Sequence, residues 1–324
     1  MTTPTGTITL QDVDNEFGGV APISINEYYA LASGIPNSGS SISMNQLRGK
    51  QFFVSETLTS SQTWTPKPNL ARFIHIFCFG AGGSGGSAEP DTSSGLFNPA
   101  GNCSASGGAA GGYSYSKIAA SAAGSTTVVI GVGGAGVQSP YNHFQFGNDG
   151  TATRFTGSGL TMSCAGGQGG RASETSTVGT DYNASAGALG GAGSGGNVLN
   201  KNGGNSGSSI SNTAGTEASS SSGGGCPVID EKSGTSANTG NSQTSEGAKV
   251  SDNGTWPTYL STYQIGRAQA ALLSATNTTL DGTEGSRIGN SLDATFAAGS
   301  GGASRGTHTS GRGGHGLVYI VYEI

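Results

Sequence analysis

The residues best placed for chemistry follow the strand-like run Phe73–Phe79. Gly80–Gly85 reads Gly-Ala-Gly-Gly-Ser-Gly and fits the G-x-G-x-x-G pattern of a loop that cradles a dinucleotide phosphate. Gly82–Gly86 also fits the G-x-S-x-G pattern, in which a sharp turn exposes a nucleophilic serine. Both motifs need a helix immediately afterwards, whereas Pro90 and Ser93–Gly95 follow here. We therefore attribute both matches to the glycine content and expect neither a phosphate site nor a nucleophile.

The ionisable side chains form no recognisable metal or catalytic pattern. The four histidines make neither H-x-H nor H-E-x-x-H, and no two of the four cysteines are close in sequence. We expect Cys78 and Cys164 to be buried as small hydrophobic residues, and His75 to be a core or hydrogen-bonded histidine. Asp230 and Glu231 are adjacent, but nothing in the sequence pairs carboxylates across a groove as a glycosidase requires. The sequence therefore predicts a protein that is not an enzyme and has no cofactor and no metal.

Composition restricts the class of partner. Of 324 residues, 60 are glycine and only 10% are charged, and the net charge is −5. The basic residues are scattered, which disfavours nucleic-acid binding. No window approaches the roughly 18 apolar residues of a membrane span, and the N-terminus lacks a basic region followed by an apolar one. We therefore expect no nucleic-acid binding, no membrane insertion and no secretory signal.

The body of the chain, residues 55–324, alternates short strand-like runs with glycine tracts. In Phe73–Phe79 both faces are apolar, which is typical of a central strand covered on both sides. In Thr126–Val132 the even-numbered residues share one face by period-two alternation. These patterns predict a mainly β fold with an antiparallel sandwich-like body, in which the C-terminal run pairs with Phe73–Phe79. The predicted strands are Phe73–Phe79, Tyr113–Ile118, Thr126–Val132, Thr151–Phe155, Leu160–Cys164 and Leu317–Ile324.

The glycine tracts have a repeat of their own. Gly82–Ser87 and Gly166–Arg171 carry two glycines in each triplet, and Gly190–Gly196 is a third tract. Polyproline-type helices have three residues per turn, so such a helix would show bare backbone on two faces and side chains on one. Bare faces let neighbouring backbones approach closely enough to hydrogen-bond. We therefore predict a bundle of polyglycine-helix-like tracts; the alternative is flexible loops, which avoid the entropic cost of ordering glycine.

Residues 1–54 differ in composition and contain one motif three times. Each copy reads Ile, Ser or Thr, an apolar residue, an amide, an acid or amide, and an apolar residue, which is the pattern of a capped helix start with a hydrophobic staple. We therefore predict an N-terminal segment of short capped helices. Because short helices gain most of their stability from packing, we expect this segment to dock into a larger assembly; the alternative is a cap on the body. The candidate attachment residues are Ile8, Val13, Ile23, Tyr28, Ile42 and Leu47.

Residues 226–296 are predicted to be an insertion in the body, with one helix at Thr262–Asn277. Exposed loops on a rigid frame are where binding residues concentrate. Two aromatic groups with nearby amides suit the recognition of sugar or protein surfaces, the alternative being that they fill the core. The candidate receptor contacts are Tyr141, His143, Phe144, Trp256, Tyr259 and Tyr263.

The body resembles the glycine-rich domain of many bacteriophage tail and fibre proteins. The resemblance rests on a Trp-X-Pro opening at Trp64–Pro66, a strand ending in Gly-Ala-Gly-Gly at Phe73–Gly83, and a closing strand at His315–Glu323. The Ile-Ser-Ile-Asn-Glu and Ile-Ser-Met-Asn-Gln-Leu-Arg-Gly segments of the N-terminus look like segments at the start of phage tail proteins. The resemblance implies a virion protein of the tail, assembled in the host cytoplasm and attached to other tail proteins through residues 1–54.

For function, the resemblance implies a tail-tip or fibre protein that contributes to host receptor recognition through surface loops. The expected partner on the host is a surface glycan or an outer-membrane protein. The expected assembly is a homo-oligomer, and a trimer is the first expectation for its size. Two alternatives stay open. One is a structural virion component without receptor binding, such as a head decoration or a tail connector. The other is a polysaccharide depolymerase.

Overall fold

The computed structural model of the chain is mainly β, with antiparallel pairing throughout its two large sheets. Its described part contains no α-helix, and none of its helices is long and apolar enough to cross a membrane. The predicted N-terminal helices and the predicted helix Thr262–Asn277 lie outside the described residues. The structure describes residues 53–66, 73–88, 103–139, 144–174, 182–184, 187–211, 218–220, 237–238, 294, 303–304 and 309–323.

Two five-stranded antiparallel sheets form one end of the described part of the chain. The first sheet has, in spatial order, the strands β1 (Phe53–Leu58), β19 (Leu317–Glu323), β3 (Phe73–Phe79), β6 (Tyr113–Ala119) and β14 (Leu199–Lys201). The second has β13 (Gly193–Ser194), β10 (Leu160–Cys164), β9 (Thr153–Gly157), β7 (Thr126–Val129) and β2 (Gln62–Trp64). A short 3-10 helix, Ala120–Ala122, follows β6.

Three small three-stranded sheets complete the described strands. The first contains β11 (Ala172–Glu174), β5 (Cys103–Ala105) and β16 (Ala218–Ser220). The second contains β12 (Tyr182–Ala184), β15 (Ser209–Ser211) and β17 (Ala237–Asn238). The third contains β18 (Ala303–Ser304), β4 (Ser87–Ala88) and β8 (Phe144–Gln145).

β3 is the middle strand of the first sheet, as its two apolar faces predicted. The predicted pairing with the C-terminal strand is confirmed, in a register that joins Phe79 to Leu317 and Phe73 to Glu323. On one face of β3, Phe77 is buried and its ring stacks on that of Tyr115 at a centroid distance of 4.6 Å. Burial on both faces explains why this segment reads as an almost continuous hydrophobic run.

The other face of β3 belongs to a core that the two large sheets share. Strands of the second sheet contribute Trp64 and Phe155, whose rings are 5.5 Å apart. Burial of these apolar side chains between two sheets is the main force that holds the sheets together. The buried residues of this core are Leu58, Trp64, Ile74, Ile76, Cys78, Ile118, Val128, Ile130, Phe155, Met162, Cys164, Val318, Ile320 and Tyr322.

β7 is shorter than the predicted strand, because it ends at Val129. Thr126, Val128 and Ile130 are buried on one face as predicted, but Val132 is 57% exposed, so that part of the prediction is wrong. The reason is that the backbone of Val132 exchanges hydrogen bonds with Thr151 in a glycine-rich tract instead of extending the sheet.

Eight glycine-rich tracts lead away from the large sheets and back in the described part of the chain. Each outward tract follows a strand, and each returning tract leads into the next strand of a large sheet. The outward tracts are residues 80–86, 131–139, 165–171 and 202–208, and the returning tracts are residues 106–112, 147–152, 187–192 and 310–316. The small sheets formed by β4, β5, β8 and β11 are at the end remote from the large sheets, which we call the far end.

Backbone hydrogen bonds between tracts repeat every three residues. Successive N–H groups of residues 80–86 donate in turn to carbonyls of residues 106–112, 147–152 and 310–316, over 2.8 to 3.4 Å. A period of three is that of a polyproline-type helix, in which each residue of a turn faces a different neighbour. The tracts therefore hydrogen-bond in the way the sequence predicted for polyglycine-helix-like tracts, and flexible loops do not describe them.

The closeness of the tracts requires glycine. A Cβ atom placed on Gly83 would lie 2.1 Å from the carbonyl oxygen of Gln168, and one on Gly108 would lie 2.2 Å from that of Gly83. Because backbone atoms occupy these positions, a side chain can be accommodated only if whole tracts move apart. The glycines thus replace side-chain packing with direct backbone contact and produce a rigid connection between the large sheets and the far end.

Candidate functional site

One of the predicted contact residues, Phe144, lies within the part of the chain that the structure describes. It belongs to β8, which pairs with β4 so that Phe144 is opposite Ala88. This pairing places Phe144 at the far end of the glycine bundle, with 42% of its surface exposed. Outside the described residues are the other predicted contacts, Tyr141, His143, Trp256, Tyr259 and Tyr263, and the predicted attachment residues, Ile8, Val13, Ile23, Tyr28, Ile42 and Leu47.

Phe144 forms an exposed ring pair with Phe146. The ring centroids are 5.5 Å apart at an interplanar angle of 42°, and Phe146 is 47% exposed. A tilted geometry at this separation is favourable for aromatic rings. The alternative that this aromatic run fills the core is therefore wrong for these two residues, which face outward.

Arg171 completes this group of side chains. Its guanidinium carbon is 5.4 Å from the ring centroid of Phe146, within the range of a cation–π contact. Its backbone is fixed, because the N–H of Arg171 donates to the hydroxyl of Ser106 and its carbonyl accepts the N–H of Ser106, both over 2.7 Å. We call Phe144, Phe146 and Arg171 the aromatic–arginine patch.

Two members of this patch were not among the candidate contacts, although Phe146 belongs to the predicted aromatic group Tyr141–Phe146. Phe146 lies in the same aromatic run as Phe144, two positions later, so alternation in an exposed strand would have placed both rings on one side. Arg171 ends the tract Gly166–Arg171, and no sequence signal indicates which aromatic residue it meets. Phe146 and Arg171 come close because their neighbours in sequence are hydrogen-bonded: the N–H of Gly147 donates to the carbonyl of Gly170 over 2.8 Å.

The segment that fits two catalytic motifs is part of the bundle interior. Gly80–Gly85 is buried, and its N–H groups donate to other tracts instead of pointing at a ligand. The hydroxyl of Ser84 is buried and accepts the N–H of Asn148 over 2.7 Å. These residues therefore neither cradle a phosphate nor expose a nucleophile.

The predicted core residues among the titratable side chains are confirmed. His75 is fully buried, with its Nδ1 2.7 Å from the hydroxyl of Tyr115. Cys78 and Cys164 are free, buried thiols that face each other across the two large sheets, and the Cys164 thiol donates to the carbonyl of Cys78 over 3.2 Å. Hydrogen bonding with Cys164, together with burial, raises the pKa of the Cys78 thiol well above its ordinary value. The described residues include no group of three or more side chains that could hold a metal ion.

A family model described as a glycine-rich domain matches residues 56–323. The chain belongs to the glycine-rich domain family. The matched residues of this glycine-rich domain include both large sheets except for the first three residues of β1, together with the glycine-rich tracts and the aromatic–arginine patch. No curated protein matches the sequence. The family accounts for the glycine-rich architecture, and the surface chemistry at the far end is the basis on which a function can be argued.

Proposed function

We propose that this chain is a structural virion protein of a phage tail, at the tail tip or in a fibre, and that it contributes to host receptor recognition through surface loops. The observation that carries the proposal is the position of Phe144 and Phe146. They are exposed at the far end of a bundle whose tracts are joined by backbone hydrogen bonds. An exposed aromatic pair at the far end of this bundle is well placed to contact the surface of a host cell.

The bundle suits recognition for an energetic reason. Ordering loops and side chains on binding costs free energy and weakens the affinity. A frame that is already ordered before binding reduces this cost. Each outward tract and its returning partner also bring the ends of a connecting segment to the same end of the molecule. The bundle can therefore hold connecting segments of different sequence without changing itself. Binding loops on a constant scaffold are a common arrangement in proteins.

The remaining parts of the proposal follow from the sequence. We propose that residues 1–54 attach the chain to other virion tail proteins, because short capped helices need a partner surface. The resemblance to phage tail and fibre proteins supports a location in the tail after assembly in the host cytoplasm. It also supports a homo-oligomer, for which we propose a trimer as the first expectation. The host partner is a surface glycan or an outer-membrane protein.

Cell adsorption tests receptor recognition. The purified full chain should bind host cells and compete with phage particles for adsorption. The double variant Phe144→Ala/Phe146→Ala should bind less, while Val132→Ala, an exposed apolar residue elsewhere on the bundle, serves as the matched control. The same assay with Trp256→Ala and Tyr259→Ala tests two of the other predicted contacts. A folded chain that neither adsorbs nor competes would contradict receptor recognition and favour a purely structural virion role.

Particle incorporation tests the attachment segment. A chain that lacks residues 1–54 should be missing from purified particles, and circular dichroism should show that its β content is retained. Electron microscopy with a labelled full chain should place the protein at the tail. Incorporation of the shortened chain at the normal level would exclude attachment through this segment.

A further inference from the structure

The aromatic–arginine patch combines exposed phenyl rings with a guanidinium, in a chain of which only 10% of the residues are charged. Two phenyl rings are 42% and 47% exposed, and the guanidinium of Arg171 lies over one of them. Within the described residues, no carboxylate forms an ion pair with Arg171. Asp149 is close in the bundle, but its carboxylate accepts the N–H of Gly169 over 2.7 Å. The patch thus presents a positive charge beside an apolar surface.

Resting on the proposed function, we infer that Phe144, Phe146 and Arg171 bind an anionic saccharide. A sugar ring offers apolar C–H groups that lie against phenyl rings, and a carboxylate or phosphate substituent accepts the parallel N–H groups of a guanidinium. Each part of the patch therefore matches one part of the ligand. A neutral saccharide would leave the charge of Arg171 unused, and a simple anion would leave the rings uncovered.

The size of the patch favours a saccharide over a protein partner. With roughly 200 Å² for a whole phenylalanine, the two exposed fractions correspond to about 180 Å² of residue surface. A stable protein interface buries about 800 Å² on each partner. The described side chains of the patch are thus large enough for one or two sugar units and make up much less than a protein footprint.

The charge distribution argues against single-stranded nucleic acid, which also stacks on aromatic rings. Such binding requires a positively charged groove that follows the phosphate backbone. This chain has a net charge of −5, and among the described residues Arg171 is the one basic residue over these two rings. One guanidinium fits a single anionic substituent better than a run of phosphates.

The patch is held in place before any ligand binds. Gly147 N–H donates to Gly170 O over 2.8 Å, which links the residue after Phe146 to the residue before Arg171. Ser106 holds the backbone of Arg171 on its other side. Because these bonds belong to the bundle, little ordering of the backbone is required on binding.

Titration calorimetry with the full chain tests the inference. The probes are tetragalacturonic acid for a carboxylate sugar, mannose 6-phosphate for a phosphorylated one and maltotetraose as the neutral reference. At least one anionic probe should bind about tenfold more tightly than maltotetraose, which is the scale of a charge-assisted hydrogen bond. Added salt should reduce that difference.

Variants separate the patch from the rest of the surface. Arg171→Gln should lower the affinity for the anionic probe about tenfold, and Phe146→Ala should lower the affinity for every probe that binds. Arg154→Gln, an exposed arginine on the second large sheet, is the matched control and should bind like the unmodified chain. Thermal unfolding of each variant confirms that it is folded.

The outcomes distinguish this inference from the proposed function. Equal affinity for maltotetraose, or unchanged affinity in Arg171→Gln, overturns the anionic-saccharide site. A chain that adsorbs to host cells but binds neither anionic probe also overturns it and leaves receptor recognition standing. Anionic-sugar binding without adsorption supports the site and contradicts receptor recognition. Competition for adsorption by one anionic probe alone identifies the source as an acidic polysaccharide or a phosphorylated glycan.

Discussion

Trp64 donates a hydrogen bond of 2.7 Å from its indole Nε1 to the carboxylate of Glu56. The same carboxylate oxygen accepts the hydroxyl of Tyr322. Trp64 belongs to β2 in the second large sheet, whereas Glu56 and Tyr322 belong to β1 and β19 in the first. One half-buried carboxylate therefore joins the polar groups of two core aromatic residues on opposite sheets.

Removal of this carboxylate should destabilise the body. Glu56→Ala leaves the indole N–H of Trp64 and the hydroxyl of Tyr322 without this acceptor, so we expect the free energy of unfolding to fall by about 1–3 kcal/mol. Glu56→Gln keeps an oxygen in the same place and should lose less. Urea unfolding followed by Trp fluorescence measures both, with Thr59→Ala, an exposed neighbour, as control. Equal losses in the two Glu56 variants would show that the charge, not the acceptor, matters.

Substitution of a bundle glycine should be far more damaging than substitution of a surface glycine. A Cβ on Gly83 would lie 2.1 Å from a backbone oxygen, whereas one on Gly124 meets no atom within 4 Å. We expect Gly83→Ala to cost about 3 kcal/mol or more, or to prevent folding. Gly124→Ala should be neutral or should stabilise by up to about 1 kcal/mol, because it restricts the unfolded chain. Thermal unfolding of the two variants measures the difference, and a similar loss in both would contradict the backbone-contact bundle.

Two threonines of β9 should respond by different amounts to removal of their hydroxyls. The buried Thr153 accepts the N–H of Gly131 over 3.0 Å, so Thr153→Val leaves that N–H without its partner and should cost about 1–3 kcal/mol. Thr156 is exposed and lies between Thr127 and Thr161 across the second large sheet. Thr156→Val should change the free energy of unfolding by less than about 0.5 kcal/mol. Denaturant unfolding of both variants checks the contrast, and a larger loss at Thr156 would contradict it.

The large sheets were predictable where hydrophobic pattern alone determines the structure. Phe73–Phe79 and Leu160–Cys164 have the predicted bounds, and the C-terminal strand pairs as predicted. The alternation of apolar and polar side chains shows which faces of a strand are buried, and burial in the core determines where these strands lie. It misled at Val132, where period-two alternation continues in sequence after the sheet has ended. It also misled at the start of the predicted strand Thr151–Phe155, because β9 begins at Thr153 and the two residues before it belong to a glycine-rich tract.

The bundle was predictable in kind but not in arrangement. The triplet repeat of Gly166–Arg171 shows that backbone faces are bare, yet glycine carries no side chain that specifies a neighbour. Which tracts meet is decided by the strands at their ends and by the three-residue period of the hydrogen bonds. Arg171 and Phe146 are brought together in this way, so a residue-by-residue reading of the sequence could not join them.

The buried thiol of Cys78 should make the protein less stable as the pH rises. Its pKa is raised in the folded state by hydrogen bonding with Cys164 and by burial, whereas an unfolded cysteine loses its proton near pH 8.5, an approximate value. Above that pH the unfolded chain releases a proton that the folded thiol keeps, so the free energy of unfolding falls until the folded pKa is reached. Urea unfolding between pH 7 and 10 should show a steeper fall for the unmodified chain than for Cys78→Ala, by up to about 1.4 kcal/mol per pH unit. Parallel slopes would mean that the Cys78 thiol titrates in the folded state as it does in the unfolded chain.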